Sequence, residues 1–194
     1  PKDFGGSGDP SPYTAHGVLM GIKASAHEKL GTDSLKGMRV AVQGLGNVGY
    51  HAAKFIQEAG GVIVSLSEYE GAIYSDKGLD VDAVVKHRKE TGSILNFPGA
   101  KNLENSSQVL EVECDILVPA ALEHVINEKN VKAVKAKIIV QGANIPMHHD
   151  IEEQLVARGV LIVPDIVANA GGVISSYAEY KGYTAKKMFM LVEE

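Results

Sequence analysis

Gly44-Leu45-Gly46-Asn47-Val48-Gly49 lies between an apolar run, Val40-Ala41-Val42-Gln43, and the helix-like stretch His51-Ala52-Ala53-Lys54-Phe55-Ile56. Three glycines at this spacing suit an anion cradle. Gly44 permits a tight turn, Gly46 lets a pyrophosphate approach the backbone, and Gly49 allows a helix to pack closely on a strand. The free N–H groups of the following helical turn, beginning at Asn47 and Val48, then face the anion. Glycine spacing alone says little in a chain holding 21 glycines; its position between a strand pattern and a helix pattern gives it force.

A second carboxylate-bearing position completes the pattern. Glu68 ends the next strand-like run, 24 residues beyond Gly44. There it can accept hydrogen bonds from the adenosine ribose hydroxyls and repel the extra phosphate of NADP. Glu70 either shares that task or faces solvent. Between Val62 and Ile73 no Lys or Arg is available for a 2′-phosphate, so only Lys77 or a residue from elsewhere could receive one. NAD is therefore the expected cofactor.

Three further segments occupy strand ends: Pro119–Leu122, Gly142-Ala143-Asn144 and Asp165–Gly172. Open parallel sheets bind ligands there. Asn144 and Asn169 are candidates to hydrogen-bond ribose or nicotinamide, with local capping as the plainer alternative. Asp165 reads as a structural or supporting residue and His16 as cleft lining. In His148-His149-Asp150, a helix start capped by Asp150 is preferred to a metal site. His51 and His87 fall within helical patterns, as surface or packing residues. Cys114, between Glu113 and Asp115, reads as a small buried residue, because flanking carboxylates oppose thiolate formation.

The elements that must position these residues alternate along the chain. Strands are expected at Arg39–Gln43, Val62–Ser67, Asp115–Val118, Ile138–Val140 and Val160–Val163. Helices are expected at Asn47–Ala59, Leu79–Thr91, Glu123–Ala133 and Asp150–Arg158. Several of the strands are apolar at successive positions, the pattern of strands buried on both faces of a parallel sheet. The fold class expected is thus α/β, a Rossmann-like doubly wound, mostly parallel sheet with flanking helices. A helix capped by Ser11, with Pro12 in its first turn, precedes the sheet. Its stripe is Val18, Ile22 and Ala26, its stop is Gly31, and Gly17 and Gly21 permit close approach. Residues 92–106 read as a surface excursion. The run Met188–Leu191 packs on this unit or on another one.

With 194 residues, 45% of them apolar, the chain can bury one good core. The expected organisation is a single unit over residues 1–194, with a leading segment and helix to 36 and a helical segment from 166. A net charge of −5 with dispersed charges offers nucleic acid no footprint. No apolar run reaches membrane-spanning length. Residues 1–6 lack a secretory pattern, the chain begins without Met, and its single cysteine suits a cytoplasmic location.

Taken together, these motifs resemble the coenzyme-binding domain of the glutamate dehydrogenases, within the wider glutamate, leucine, phenylalanine and valine dehydrogenase family. The matching runs are Lys36–Gly49, Gly71–Tyr74, Thr91–Ser93, Cys114–Glu123, Gly142–Asn144 and Pro164–Val173, continued by Ser176 and Tyr177. They extend in order from about Gly5 to Tyr180. The resemblance implies oxidative deamination of an L-amino acid to a 2-oxo acid, with hydride transfer to nicotinamide and release of ammonia. It places Gly44, Gly46 and Gly49 at the pyrophosphate and Glu68 at the ribose. Ala120, Asn144 and Asn169 then line the nicotinamide side, with Thr14 beside the carboxamide and Ser176 toward the substrate's side-chain carboxylate. The catalytic lysines and aspartate of the family belong to a separate amino-terminal domain expected before Pro1, so no catalytic residue is expected here and this chain alone should be inactive. The intact enzyme is expected to be a homo-oligomer, commonly a hexamer. Thr14-Ala15-His16-Gly17 and Ile145–Asp150 depart from the family pattern, and the sequence beyond Tyr180 matches its tail poorly. A binding module without catalysis, or a leucine, phenylalanine or valine enzyme, is the competing expectation.

Overall fold

A computed structural model describes residues 8–194; the reading of residues 1–6 lies outside them. Seven strands form one sheet in the order β4-β3-β2-β1-β5-β6-β7. The strands are β1 (Arg39–Gln43), β2 (Val62–Glu68), β3 (Gly71–Tyr74), β4 (Lys101–Asn102), β5 (Ile116–Pro119), β6 (Ile138–Val140) and β7 (Leu161–Val163). The five strands from β2 through β1, β5 and β6 to β7 are parallel, while β3 and β4 add antiparallel at one edge. This is the expected Rossmann-like α/β architecture. The parallel strands follow the predicted positions, but β3 and β4 were not anticipated as strands.

The apolar runs are explained by burial on both faces. Val40 and Val42 join a core layer with Val18, Ile22, Ala53 and Ile56, whereas the intervening Ala41 joins Val64, Leu117 and Ile139 on the opposite face. Each residue of β1 between its ends is fully covered, so alternation disappears from the sequence.

The helices are α1 (Ser11–Leu30), α2 (Asn47–Glu58), α3 (Val81–Thr91), α4 (His149–Ala157), α5 (Asp165–Ala168), α6 (Gly171–Tyr180) and α7 (Ala185–Glu193). Gly31 ends α1 in the left-handed conformation, as expected. Ser11 does not cap it. Pro10 holds the cap position, and the Ser11 amide and hydroxyl both donate to Asp9 Oδ1. Asp150 is not a cap either, because α4 begins a residue earlier, after His148.

The helix expected over Glu123–Ala133 does not form; only Val131–Ala133 makes a 3₁₀ turn. His124 takes a left-handed backbone (φ 54°), and two asparagines compete for the chain. Asn127 Nδ2 donates to His124 O, Asn130 Nδ2 donates to Val125 O, and Asn130 Oδ1 accepts from Asn127 N–H. Such side-chain bonds offer the backbone an alternative to helix. The segment is instead stitched to the next loop, His124 N–H to Ile145 O and Ile126 N–H to Pro146 O.

Candidate functional site: a cleft across the strand ends

The order reverses at β1, which sends β2 to one side and β5 to the other. At such a switch point the connecting segments part, leaving a crevice beyond the carboxyl ends of the strands. Two adjoining cavities fill it. One, of about 330 Å³, is lined by residues including Gly44, Gly46, Glu68, Tyr69, Ser106 and Ala120. The other, of about 450 Å³, is lined by residues including Thr14, Val48, Ala120, Asn144, Asn169 and Gly172. Ala120, Ala121 and Leu122 form their shared wall.

The glycine turn joins β1 to α2, and each of its three glycines has a different local setting. Gly44 has φ +90° and donates to Ser67 O at 2.9 Å. A Cβ at Gly49 would lie 1.9 Å from Gly44 O, so the first turn of α2 rests directly on the strand end. A Cβ at Gly46 would meet nothing within 4 Å. Nothing within the protein requires glycine there, and the space fits a pyrophosphate approaching the backbone. No side chain caps the start of α2, which leaves its first N–H groups, from Asn47 and Val48 onward, available to an anion.

Glu68 is 13% exposed and already engaged. Its Oε1 accepts from Leu45 N–H at 2.6 Å, inside the glycine turn, and its Oε2 accepts from Arg88 Nη2 at 3.1 Å. Arg88, on α3, also donates through Nε to Glu70 Oε1 at 3.1 Å. Glu70 therefore does not face solvent as one expectation had it. It is half-buried, also accepts from Ile94 N–H, and its buried Oε2 has no hydrogen-bond partner among the described residues. Sequence reasoning missed Arg88, since it lies 20 residues from Glu68 on another element. No local sequence signal marks it; it lies two turns into α3, whose first residue, Val81, is buried.

The second cavity draws on distant elements. Thr14 belongs to α1, held against the start of α6 by glycines. A Cβ on Gly171 would lie 2.0 Å from Tyr13 O, one on Gly172 2.7 Å from Thr14 Oγ1, and one on Gly17 2.7 Å from Ala168 O. Asn169 Nδ2 donates to Asn144 Oδ1 at 2.7 Å, joining the ends of α5 and β6. Of the expected site residues, Thr14, Val48, Ala120, Asn144 and Asn169 share this cavity wall, and Gly44, Gly46, Glu68 and Ala120 the other. Ser176 is not in either wall; it is exposed on α6 and donates back to Gly172 O.

His16 does not line the cleft. Its ring meets Phe55 and Phe189 edge-on, and Nε2 contacts Glu193 Oε1 at 3.0 Å, tying α7 to α1. Met188 is buried with Tyr13 and Ala178, so the apolar run near the carboxyl end packs on this unit. His148 stacks on His124, and His149 approaches Glu152 and Glu153. Cys114 is buried, and burial pushes its thiol up to about 12.

Comparison with known proteins accords with this geometry. The family model described as Glutamate/Leucine/Phenylalanine/Valine dehydrogenase matches residues 5–193. The chain is 43% identical to the NADP-specific glutamate dehydrogenase of Saccharolobus shibatae and 44% identical to the glutamate dehydrogenase of Aeropyrum pernix. Each match covers 93% of this chain and 42% of the relative. A hetero-hexameric glutamate dehydrogenase from Thermus thermophilus superposes with a TM-score of 0.85 at 30% identity, over all of this chain and 46% of that one. The L-tryptophan dehydrogenase of Nostoc punctiforme gives 0.75 at 30% identity, over 96% of this chain and 52% of that one. The chain thus spans about half the length of these relatives or less. The chain has a strand-end crevice and an open glycine turn, and the match of residues 5–193 to one family model shows that it belongs to the glutamate/leucine/phenylalanine/valine dehydrogenase family.

Proposed function

We propose that residues 1–194 form the coenzyme-binding unit of an NAD-dependent amino-acid dehydrogenase acting on L-glutamate. The observation that carries the reading is the cradle at Gly46, where a Cβ has open space beside the uncapped start of α2. Gly44, Gly46 and the N–H groups following Asn47 would hold the pyrophosphate, and Glu68 the adenosine ribose. Thr14, Ala120, Asn144 and Asn169 would hold the nicotinamide end. When bound, the dinucleotide supplies a hydride acceptor at its nicotinamide carbon. This chain's own residues bind and orient it.

Two carboxylates, Glu68 and Glu70, surround one guanidinium at the ribose end, and that excess of negative charge supports NAD over NADP. Glutamate as substrate is supported by the names of the two glutamate dehydrogenases matched above and by the resemblance that brings Ser176 toward a side-chain carboxylate. The cleft wall bears exposed Leu122 and Val173, an apolar margin suited to a facing wall. We infer that this wall, with the lysines and aspartate that act on substrate, belongs to a separate domain of a homo-oligomeric, cytoplasmic enzyme. Among the described residues no helix is long and apolar enough to cross a membrane.

Calorimetry of the chain with NADH tests the reading. Binding in the micromolar range or weaker is expected, about −8 kcal/mol or less favourable, without glutamate-dependent NADH production. Absence of NADH binding would contradict it.

A further inference from the structure

We propose that Asp165 is a positioning residue that fixes Ile145, and through it Asn144, in the conformation the nicotinamide end of the cleft requires. The proposal rests on the coenzyme reading above and assigns work to a residue outside the cavity walls.

Ile145 has φ +45°. A β-branched side chain is crowded in this left-handed region, and such a backbone persists only where its surroundings enforce it. The next residue is Pro146, whose ring disfavours a helical conformation before it and drives residue 145 toward an extended one. Side-chain burial does little to oppose these pressures, because Ile145 is 54% exposed. Enforcement comes through the backbone on both sides. Ile145 N–H donates to Asp165 Oδ2 at 2.7 Å, and Ile145 O accepts from His124 N–H at 2.9 Å.

Asp165 is itself held in place. Its amide donates to Gln141 Oε1 at 3.1 Å, and its Oδ1 accepts from Ile166 N–H at 2.7 Å. Gln141, 2% exposed, donates in turn to Glu152 Oε1 at 2.6 Å. A line of hydrogen bonds therefore runs from α4 through the end of β6 to the start of α5, and ends on the strained amide. The residue preceding that amide, Asn144, lies in the cavity wall and accepts from Asn169. Released from Asp165, residue 145 would relax toward extended backbone, turning Asn144 out of register with Asn169. A carboxylate serves this position because a charged acceptor makes a stronger bond to the amide than a neutral one.

The test uses the 194-residue chain and four proteins: wild type, Asp165→Ala, Asp165→Asn, and Asp165→Ala combined with Ile145→Asn. Asparagine tolerates the left-handed region far better than isoleucine, so it should remove the need for the pin. The readouts are the backbone chemical shifts of residue 145 without ligand, and the affinities for NADH and for ADP-ribose, which lacks nicotinamide. Asp165→Ala is expected to abolish the left-handed shift signature and raise the NADH Kd about tenfold, leaving ADP-ribose within about twofold. Asp165→Asn retains an oxygen for the Ile145 amide and should retain the signature. The double variant should recover both signature and NADH affinity.

An Asp165→Ala chain that keeps the signature and its NADH affinity would overturn the proposal. So would an NADH defect matched by ADP-ribose, or one that Ile145→Asn fails to rescue. Those results would assign Asp165 to holding the start of α5 alone. A wild-type chain that does not bind NADH would overturn the coenzyme reading and the nicotinamide role with it, and the ligand-free shifts would then decide the pin by themselves.

Discussion

Replacing Glu68 with glutamine removes a charge while leaving a carbonyl oxygen for the Leu45 amide, and so separates two roles that the native carboxylate combines. Its Oε1 stabilises the glycine turn at 2.6 Å, and its Oε2 faces Arg88 at 3.1 Å. Two like unit charges held about 5 Å apart illustrate the repulsion that a 2′-phosphate bound beside this carboxylate would meet. At an effective dielectric of about 20 the repulsion is about 3 kcal/mol per unit charge, and Arg88 offsets part of it. Water at the open cleft and salt at 0.1 M weaken the remainder to about 1–2 kcal/mol. Glu68→Gln should therefore shift the ratio of NADPH to NADH dissociation constants by about tenfold in favour of NADPH, as read by nucleotide fluorescence at fixed ionic strength. Arg88→Met should move the ratio the opposite way, since it leaves both carboxylates uncompensated. An unchanged ratio in Glu68→Gln would refute the electrostatic argument and leave Glu68 only its bond to the turn.

The glycines of the cradle should separate stability from binding. Gly49→Ala places a Cβ 1.9 Å from Gly44 O and should cost about 3 kcal/mol or more in chemical denaturation. Gly46→Ala should change stability by less than about 1 kcal/mol yet weaken NADH binding measurably. Burial acts to raise the Asp115 carboxyl, but hydrogen bonds from Lys137 and the Arg39 amide outweigh it and hold the group below the usual carboxylate range. Its contribution is thus present above that range and lost as pH falls through the lowered value. Asp115→Asn should be less stable than wild type at pH 7, and the difference should vanish in acid. Cys114, raised to about 12 by burial and its acidic neighbours, should carry about a thousandfold less thiolate than a free cysteine. It should resist alkylation at pH 8 until the chain is denatured.

The parts of this molecule that were legible in sequence are those whose causes are local. The turn at Gly44–Gly49, the buried strands around it and the stop at Gly31 each follow from a few adjacent residues. The failures have long-range or competing causes. The Glu123–Ala133 segment has helical content, but Asn127 and Asn130 spend their amides on its carbonyls and the Pro146 loop takes its N–H groups. Gly71–Tyr74 is too short to announce itself as a strand and gains definition from pairing with β2. The guanidinium between Glu68 and Glu70 arrives from a helix that sequence spacing does not bring near. His16 lies two residues from Thr14 in sequence, but two residues along a helix turn a side chain toward another face, here toward α7.

The glycine-mediated crossing of α1 over the start of α6 bears on when the cleft can exist. Tyr13, Thr14 and Gly17 meet Ala168, Gly171 and Gly172, partners about 150 residues later in the chain. The bond from Leu45 N–H to Glu68, by contrast, lies within a stretch from β1 to β2. During synthesis that bond can form once β2 has emerged, whereas the wall at Thr14 must wait for α5 and α6. Contacts of such sequence separation are slow to close, and the growing chain carries an unpaired face of α1 until they do. The contacts of α1 with α5 and α6 are thus the last of the cleft to close, and coenzyme fit at the Thr14 wall would report that this docking is done.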